Sequence, residues 1–439
     1  MFGLWFWIYN VFIIPILSVV VRFAALFNKK IASGLKGRQN LFSSLESQVK
    51  ALNPEKPRIW IHISSMGEFE QAKPIVNTLK ARNPAAQVIL SFFSPSGYDN
   101  SSSFTEADIR TYLPFDSYWQ VKKFVRILRP DVAVVVRHDI WPNMLWRLQK
   151  EGIPSLLVDA SISDKRLRTL ALFPFFYRIL YSPFTEILTV SELQIKRIEK
   201  VYPFPRRLHV SGDTRYDQVL ARCREMNKID FLIKSGIFHR DRCFVAGSTW
   251  PGDEKIVLPP VAELLKSYKD FIFIIAPHEP TREHLENVEE FFRTHSIRVN
   301  RLSEFERNAD KDFQVLLIDR IGLLANLYAL GLLAYVGGGF GPGVHSVLEP
   351  AAHGCAVIFG PRHSNSIEAH ILITSGGGKY ITSAEQAKKY IMQLLNNPSV
   401  VMRMGEKARK LVNENAGASE RVVTTIEKYM QHKLESKQK

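Results

Sequence analysis

The sequence predicts an α/β protein of two successive parallel-sheet domains behind an apolar N-terminal helix. Three observations predict it. Past residue 50, short continuous apolar runs alternate with helical stretches, and the alternation restarts after a polar, charged stretch at 217–241. Runs such as VAVVV at 132–136 have no polar face, as in strands covered by helices on both sides of a parallel sheet. Residues 2–21, FGLWFWIYNVFIIPILSVVV, are almost entirely apolar, and about twenty such residues suffice to cross a bilayer.

A chain of 439 residues has room for two domains. Apolar residues make up 46% and charged residues 23%, an ordinary globular balance. The net charge of +15 is not ordinary and points to an anionic partner: a nucleic acid, a membrane face or a phosphorylated substrate. Cys223, Cys243 and Cys355 are scattered without a CxxC pair, which fits a reducing compartment and offers no disulfide framework. The twelve histidines are dispersed and no HExxH occurs, so no metal or other cofactor is expected.

In the apolar N-terminus, Asn10 and Pro15 interrupt the run and Arg22 closes it. Trp5, Trp7 and Tyr9 sit at one end, as interfacial aromatics do, and Lys29, Lys30, Lys36 and Arg38 follow the other. The positive-inside rule then places the rest of the chain on the cytoplasmic side, with the basic segment resting on anionic headgroups. A cleaved signal peptide would need a basic start and a small-residue cleavage site, and neither is evident. A single spanning anchor over 1–28 is the preferred reading. A helix lying in the interface is the alternative, because Pro15 and Arg22 weaken a clean span.

Strands are expected at 58–63, 87–93, 131–136, 155–158, 186–190 and 207–210, with helices such as 117–128 and 141–151 between them. This makes a first domain at 50–220. After a linker over 217–241, strands at 242–246, 271–276, 314–318, 332–336 and 355–359 make a second at 235–420. The polar tail at 434–439 is expected to fray.

In open parallel sheets, ligands sit beyond the carboxyl ends of the strands, and the chemistry-bearing residues fall there. Glu68 follows the run at 59–63 and the turn Ser64-Ser65-Met66-Gly67, where a helix should begin. It is either a general base or a helix-start carboxylate that the dipole holds ionised. Arg137, His138 and Asp139 end the strand at Val136, and Arg215 follows the strand at Val210, where it could steady negative charge. Asp116 and Ser161 are weaker candidates of the same kind.

In the second half, VGGGFGPGVHSVLEP at 336–350 lets backbone approach a ligand closely. His345 and Ser346 are expected to open a helix whose N–H groups suit a phosphate, with Glu349 placed for ribose hydroxyls. Ser248 or Thr249 offers a hydroxyl to a phosphate. Pro277-His278 brings an imidazole, and backbone around Gly322 could meet a base edge. Gly360-Pro361-Arg362-His363-Ser364-Asn365 could close the same pocket. Each block alone reads equally as a turn or cap, and four at one sheet's edge favour a ligand crevice. Neither a Walker loop nor a GxGxxG fingerprint occurs.

Taken in order, HISSMGE, LPFD, WPN, AGST, APH, DRIG, VGGG with HSVLEPAA, and GPRHSN resemble a known family. It is that of the membrane-anchored 3-deoxy-D-manno-oct-2-ulosonic acid (Kdo) transferases of lipopolysaccharide synthesis. The resemblance implies a GT-B fold of two Rossmann-like domains facing a cleft. It implies inverting, metal-free transfer of Kdo from CMP-Kdo to a lipid A precursor (lipid IVA) at the inner membrane. Carried over by motif, Glu68 is the general base, and the two groups that steady the transition state fall near Arg137 and on Arg215, with Asp139 a further catalytic candidate. CMP contacts fall on Ser248, Pro277, His278, Ile321, Gly322, Leu323, His345, Ser346, Val347, Leu348 and Glu349. The chain departs from the family pattern at Arg137-His138-Asp139, where many members have Glu-Thr-Glu. It departs again at His278 directly after Pro277, at Ser346 after His345, at Arg215 for a common Lys, and at Leu323 for a Glu. Two rival functions remain: a UDP-sugar transferase of the same fold, and a non-catalytic basic protein tethered to the membrane. RNA-reading signatures are missing, so no nucleic-acid partner is expected.

Overall fold

The computed structural model describes residues 2–308 and 312–438. It divides into two compact units, one of residues up to Gln218 together with those from Ala416 onward, the other Val219–Asn415. In the first unit the strands are β1 (Arg58–Ile63), β2 (Gln87–Phe92), β3 (Ile109–Tyr112), β4 (Val132–Val136), β5 (Ser155–Ala160), β6 (Glu186–Thr189) and β7 (Leu208–Val210). They form one parallel sheet in the order β3-β2-β1-β4-β5-β6-β7. Strand order reverses between β1 and β4, which pair from Ile59↔Val132 to His62↔Val135. A ligand crevice is expected beyond the carboxyl ends of these two strands.

The second unit repeats the architecture. Its strands are β8 (Cys243–Thr249), β9 (Ile272–Pro277), β10 (Val299–Arg301), β11 (Val315–Leu317), β12 (Leu333–Val336), β13 (Ala356–Phe359) and β14 (Gly378–Tyr380). The order is β10-β11-β9-β8-β12-β13-β14, again parallel, with the reversal between β8 and β12. The two-sheet α/β class expected from the sequence is therefore observed. The expected strands lack β3, β10 and β14, whose sequences IRTY, VNR and GKY are short and carry no continuous apolar run.

Two expectations are corrected. Residues 217–241 are not an open linker. They carry most of a helix, Thr214–Arg224, then a 3-10 turn, Met226–Ile229, and a short helix, Asp230–Lys234. Ile229 and Leu232 are fully buried in the second unit's core, so the charges that suggested a linker are the outer face of packed structure. The chain's end is a helix, Ala418–Gln438, rather than a frayed tail. Its Val422, Val423, Ile426 and Met430 recur at helical spacing and fill the core of the first unit beneath β1, β2 and β4.

The N-terminal apolar stretch, Gly3–Ala25, is a helix long and apolar enough to cross a membrane. It contains a π turn at Tyr9–Ile13, next to Pro15. One face of its first turns docks on the first unit. The Tyr9 hydroxyl donates to Oδ2 of buried Asp116 at 2.9 Å, and the amides of Asn10 and Asn143 pair reciprocally at 2.9 and 2.8 Å. Phe6 packs edge-on against Tyr118, and Trp5 lies against Phe176. Trp7, Phe12, Ile16, Val19 and Phe23 are exposed. Arg38, expected with the lysines at a lipid surface, is instead held against the first unit. Its guanidinium donates to the carbonyls of Leu113, Phe93 and Gly34, and lies 5.0 Å from the ring centres of Phe93, Tyr112 and Phe115. Burial lowers its pKa to about 10, which leaves it charged at neutral pH.

Candidate active site

At the end of β1 the chain turns through Ser64 and Ser65 into the helix Met66–Arg82, with extended Ser65 at the N-cap. Ser65 and Glu68 have capping-box spacing, but here the serine hydroxyls serve the carboxylate. Ser64 Oγ donates to Oε2 of Glu68 at 3.0 Å, and Ser65 Oγ donates to the same oxygen. The other oxygen faces Arg137 Nη1 at 3.7 Å. Glu68 is buried. Burial works to raise its pKa, but bonds from Ser65, its own backbone N–H and Ser64, together with the charge of Arg137, hold it below the ordinary glutamate value. It is therefore ionised at neutral pH.

Arg137 leaves β4 with φ of +72°, in the left-handed region that a side chain rarely adopts. Its N–H still donates to Val158 O at 2.8 Å, which fixes the turn to the β4–β5 ladder. This conformation sends its guanidinium to the end of β1. Strain of this kind gathers at functional sites. Two residues on, Asp139 accepts from His62 Nε2 at 2.8 Å. His62 Nδ1 meets Ser91 Oγ at 2.9 Å, and Trp60 Nε1 donates to that hydroxyl at 2.8 Å. An ionised Asp139 can only accept, so His62 carries a proton on Nε2 toward it. This buried chain moors the loop after β4 to β1 and β2. Burial would raise the Asp139 pKa, but the bond and charge from His62 hold it low. Beside it, burial and the charges of Arg166 and Arg137 depress the His138 pKa.

Arg215 lies in the first turn of the helix Thr214–Arg224, after β7. Its Nε and Nη2 donate to Asp213 Oδ2 at 2.9 and 2.6 Å. Thr214 donates its N–H to Asp159 Oδ1 at 3.0 Å. Asp159 is fully buried with φ of +51°, and burial and neighbouring Asp213 raise its pKa. Thr214 Oγ1 lies 3.0 Å from Gln71 O, and Gln218 Nε2 donates to Glu70 Oε2 at 2.9 Å. These bonds hold the turn bearing Arg215 beside the Met66–Arg82 helix. The structure thus brings Glu68, Arg137 and Asp139 together at the point of strand reversal and sets Arg215 alongside.

In the second unit the glycine-rich loop follows β12. A Cβ on Gly337 would stand 2.0 Å from Ser248 O, and one on Gly338 2.2 Å from Gly343 O, so backbone packs where side chains cannot fit. Ser248 itself has φ of +54°. The organiser of the loop is Asp253, which the sequence reading missed. Fully buried at the start of the helix Pro251–Ser267, its carboxylate accepts from the N–H groups of Trp250, Gly338 and Phe340 and from the Tyr335 hydroxyl, at 2.8–3.1 Å. The 360–365 block, expected at the same pocket, is hydrogen-bonded to the loop. Val344 N donates to Arg362 O and Asn365 Nδ2 to Val344 O, both at 2.9 Å.

Around this loop three rings meet. His278 lies over Trp250, with ring centres 4.7 Å apart, and over His345, at 4.3 Å. Trp250 Nε1 donates to His345 Nε2 at 2.8 Å. Exposed Ile321 and Gly322, with φ of +96°, form the turn after β11. Leu323, Val347 and Leu348 are buried, so only their backbone can meet a ligand. The helix expected to open at His345–Ser346 is a single turn that starts later, at Leu348. Glu349 is 3.2 Å from Arg222 Nη1, an ion pair that competes with any ribose contact. Among the described residues, no group of three or more His, Cys, Asp or Glu is placed to hold a metal ion.

Two doubly wound parallel units, with an ionisable loop at one strand reversal and a glycine-rich loop at the other, define a fold of GT-B type. A solved structure with the same architecture is UDP-GlcNAc 2-epimerase from Neisseria meningitidis bound to UDP-GlcNAc. It has a TM-score of 0.61 and 15% identity, and the match covers 84% of this chain and 100% of that one. Residues 36–218 match the family model described as 3-deoxy-D-manno-octulosonic-acid transferase (kdotransferase). The 3-deoxy-D-manno-octulosonic acid transferase of Haemophilus influenzae is 24% identical over 98% of this chain and 100% of its own. The Aquifex aeolicus enzyme of the same name is 27% identical over 81% of this chain and 91% of its own. The chain is thus similar to Kdo transferases, by the family model over residues 36–218 and by these relatives over most of its length.

Proposed function

We propose that the protein transfers Kdo from CMP-Kdo to a lipid A precursor with inversion, using Glu68 as general base. The observation that carries this reading is the environment of Glu68, a buried yet ionised carboxylate at the strand reversal of the first sheet. The acceptor hydroxyl gives its proton to Glu68 as its oxygen attacks the anomeric carbon, and the bond from that carbon to the CMP phosphate breaks. Assistance of this kind is worth about 10²–10⁴-fold. Arg137 and Arg215 are the cations placed to steady the charge that develops. Asp139, moored by His62, holds the Arg137 turn in place.

The second unit, over roughly the 235–420 range expected from sequence, is the donor domain in this reading. Ser248, the Pro277-His278 turn, Ile321 to Leu323 and His345 to Glu349 surround the nucleotide, with Leu323, Val347 and Leu348 contributing backbone. The first unit is the acceptor domain. For the N-terminal helix the structure favours the interfacial alternative over a span. Tyr9 and Asn10 are hydrogen-bonded to the globular unit, while an exposed apolar face remains for the lipid. In this reading the protein lies on the cytoplasmic face of the inner membrane, where its surplus of positive charge meets anionic lipid.

The test is incubation of the purified full-length protein with CMP-Kdo and a lipid A precursor, with mass spectrometry of the product. The expected result is a mass increase of one or more Kdo units. Thermal stabilisation by UDP and not by CMP would favour a UDP-sugar donor. Salt-sensitive binding of acidic lipid without turnover would favour a tethered binding protein.

A further inference from the structure

The rings at the glycine-rich loop have an arrangement whose protonation is fixed by geometry. The planes of Trp250 and His345 are 5° apart, as an in-plane hydrogen bond between them requires. An indole N–H can only donate, so His345 Nε2 must be a lone pair and the proton of this neutral imidazole sits on Nδ1. Protonating His345 would set two N–H groups against each other at 2.8 Å. His278 is exposed and lies over both rings.

We propose that Trp250 is a positioning residue of the nucleotide site. Its N–H locks His345 in the neutral, Nδ1-protonated form, so that a nucleotide phosphate is met by a neutral imidazole that donates from Nδ1, beside the exposed ring of His278. The proposal rests on the donor-domain reading and adds to it a residue that fixes the tautomer of one histidine. Burial and His278 lower the His345 pKa, against Asp253, which raises it. The other charged groups nearby are already engaged or face solvent. Asp253 is bonded to the loop, Glu254 is bonded to Thr249 and His284, and Glu279 and Glu283 lie exposed in the hollow beside Trp250. Arg362 donates to Gly341 O.

Two measurements on the full-length protein test this. In the first, without ligand, histidine 15N NMR follows His345, assigned by the signal lost in His345→Gln. The expected result is an Nδ1–H tautomer that resists protonation in wild type, and a protonation midpoint moved to higher pH in Trp250→Phe, which keeps a ring and loses the N–H. An Nε2–H tautomer, or an unchanged midpoint in Trp250→Phe, overturns the lock. In the second, CMP binding is measured by calorimetry at neutral pH. Trp250→Phe is expected to lose CMP affinity relative to wild type, and an unchanged affinity overturns the positioning role and leaves the nucleotide site standing. No binding of CMP by wild type removes the nucleotide reading, and with it the ligand half of the proposal, whatever the tautomer.

Discussion

Arg137 and Glu68 stand at the ends of the two neighbouring strands between which the first sheet reverses, with Nη1 3.7 Å from Oε1. The ion pair is bought with backbone strain, since Arg137 must adopt φ of +72° to make it. It leaves Glu68 ionised, with both serine hydroxyls on one oxygen and the other turned toward the cation. A carboxylate so held is ready to accept a proton and is a weaker base than a free one. Its usefulness depends on a substrate whose hydroxyl becomes acidic as the bond forms.

Replacing the proton acceptor separates chemistry from folding. Glu68→Gln keeps the shape and can still accept from Ser64 and Ser65. Turnover of CMP-Kdo should fall about 10²–10⁴-fold, while CMP affinity, read by calorimetry, stays at the wild-type value. Wild-type turnover in this variant would rule Glu68 out as the base.

Removing the cation should move the pH profile. Arg137 lowers the Glu68 pKa, so Arg137→Gln raises it and more of the carboxylate is protonated at mildly acidic pH. The acid limb of the rate profile is then expected at higher pH than in wild type. Arg137→Gly loses the same charge but adopts the left-handed backbone freely. It should show the same shift with a melting temperature above that of Arg137→Gln.

Asp253 should matter to the donor loop more than any residue that touches ligand. Asp253→Ala leaves three backbone N–H groups and the Tyr335 hydroxyl without their acceptor, each costing about 1–3 kcal/mol if it stays buried. A large drop in melting temperature and loss of CMP binding are expected. Asp253→Asn retains one acceptor oxygen and should fall between the two.

Asp116, which receives the Tyr9 hydroxyl, gives the first unit a pH dependence. Burial pushes its pKa up to about 7 against the bonds from Asn143, Tyr9 and Met144. In the unfolded chain it titrates near an ordinary value of about 3.9. The folded state therefore binds the extra proton, and this contribution to stability is full below about pH 4 and lost as pH rises through about 7, at up to about 1.4 kcal/mol per pH unit. Urea unfolding should show wild type losing ground to Asp116→Asn between pH 5 and pH 8. Parallel curves would contradict the assignment.

The N-terminal helix can be tested by which side it is reached from. Single cysteines at Gly3 and Lys29, in inverted vesicles, should both react with an impermeant thiol reagent if the helix lies in the interface. A spanning helix would shield one of them. Changing exposed Trp7, Phe12 and Phe23 to Ser should reduce vesicle flotation and leave the melting temperature unchanged.

Much of this was legible in the sequence, for reasons particular to each residue. Strands such as β1 and β4 are covered on both faces and read as bare apolar runs, so Glu68 and Arg137 could be placed at strand ends before any coordinates. Leu323 could not be sorted from its neighbours Ile321 and Gly322, because motif position does not tell which of three consecutive residues turns inward. Asp253 was invisible, since its acceptor role depends on groups as far as 87 positions away in the chain. The Arg137–Glu68 pair was also hidden, because no local preference predicts an arginine with positive φ. Asn10 read as a flaw in an apolar helix until Asn143 gave it a partner.

The C-terminal helix has a consequence for how the protein is made. Val422, Val423, Ile426 and Met430 close the apolar underside of the sheet that Ile59 begins. On the ribosome these residues emerge after the whole second unit. The sheet of the first unit therefore waits for a segment made some two hundred positions after its own last strand, and a nascent chain released before residue 416 would leave that sheet uncovered.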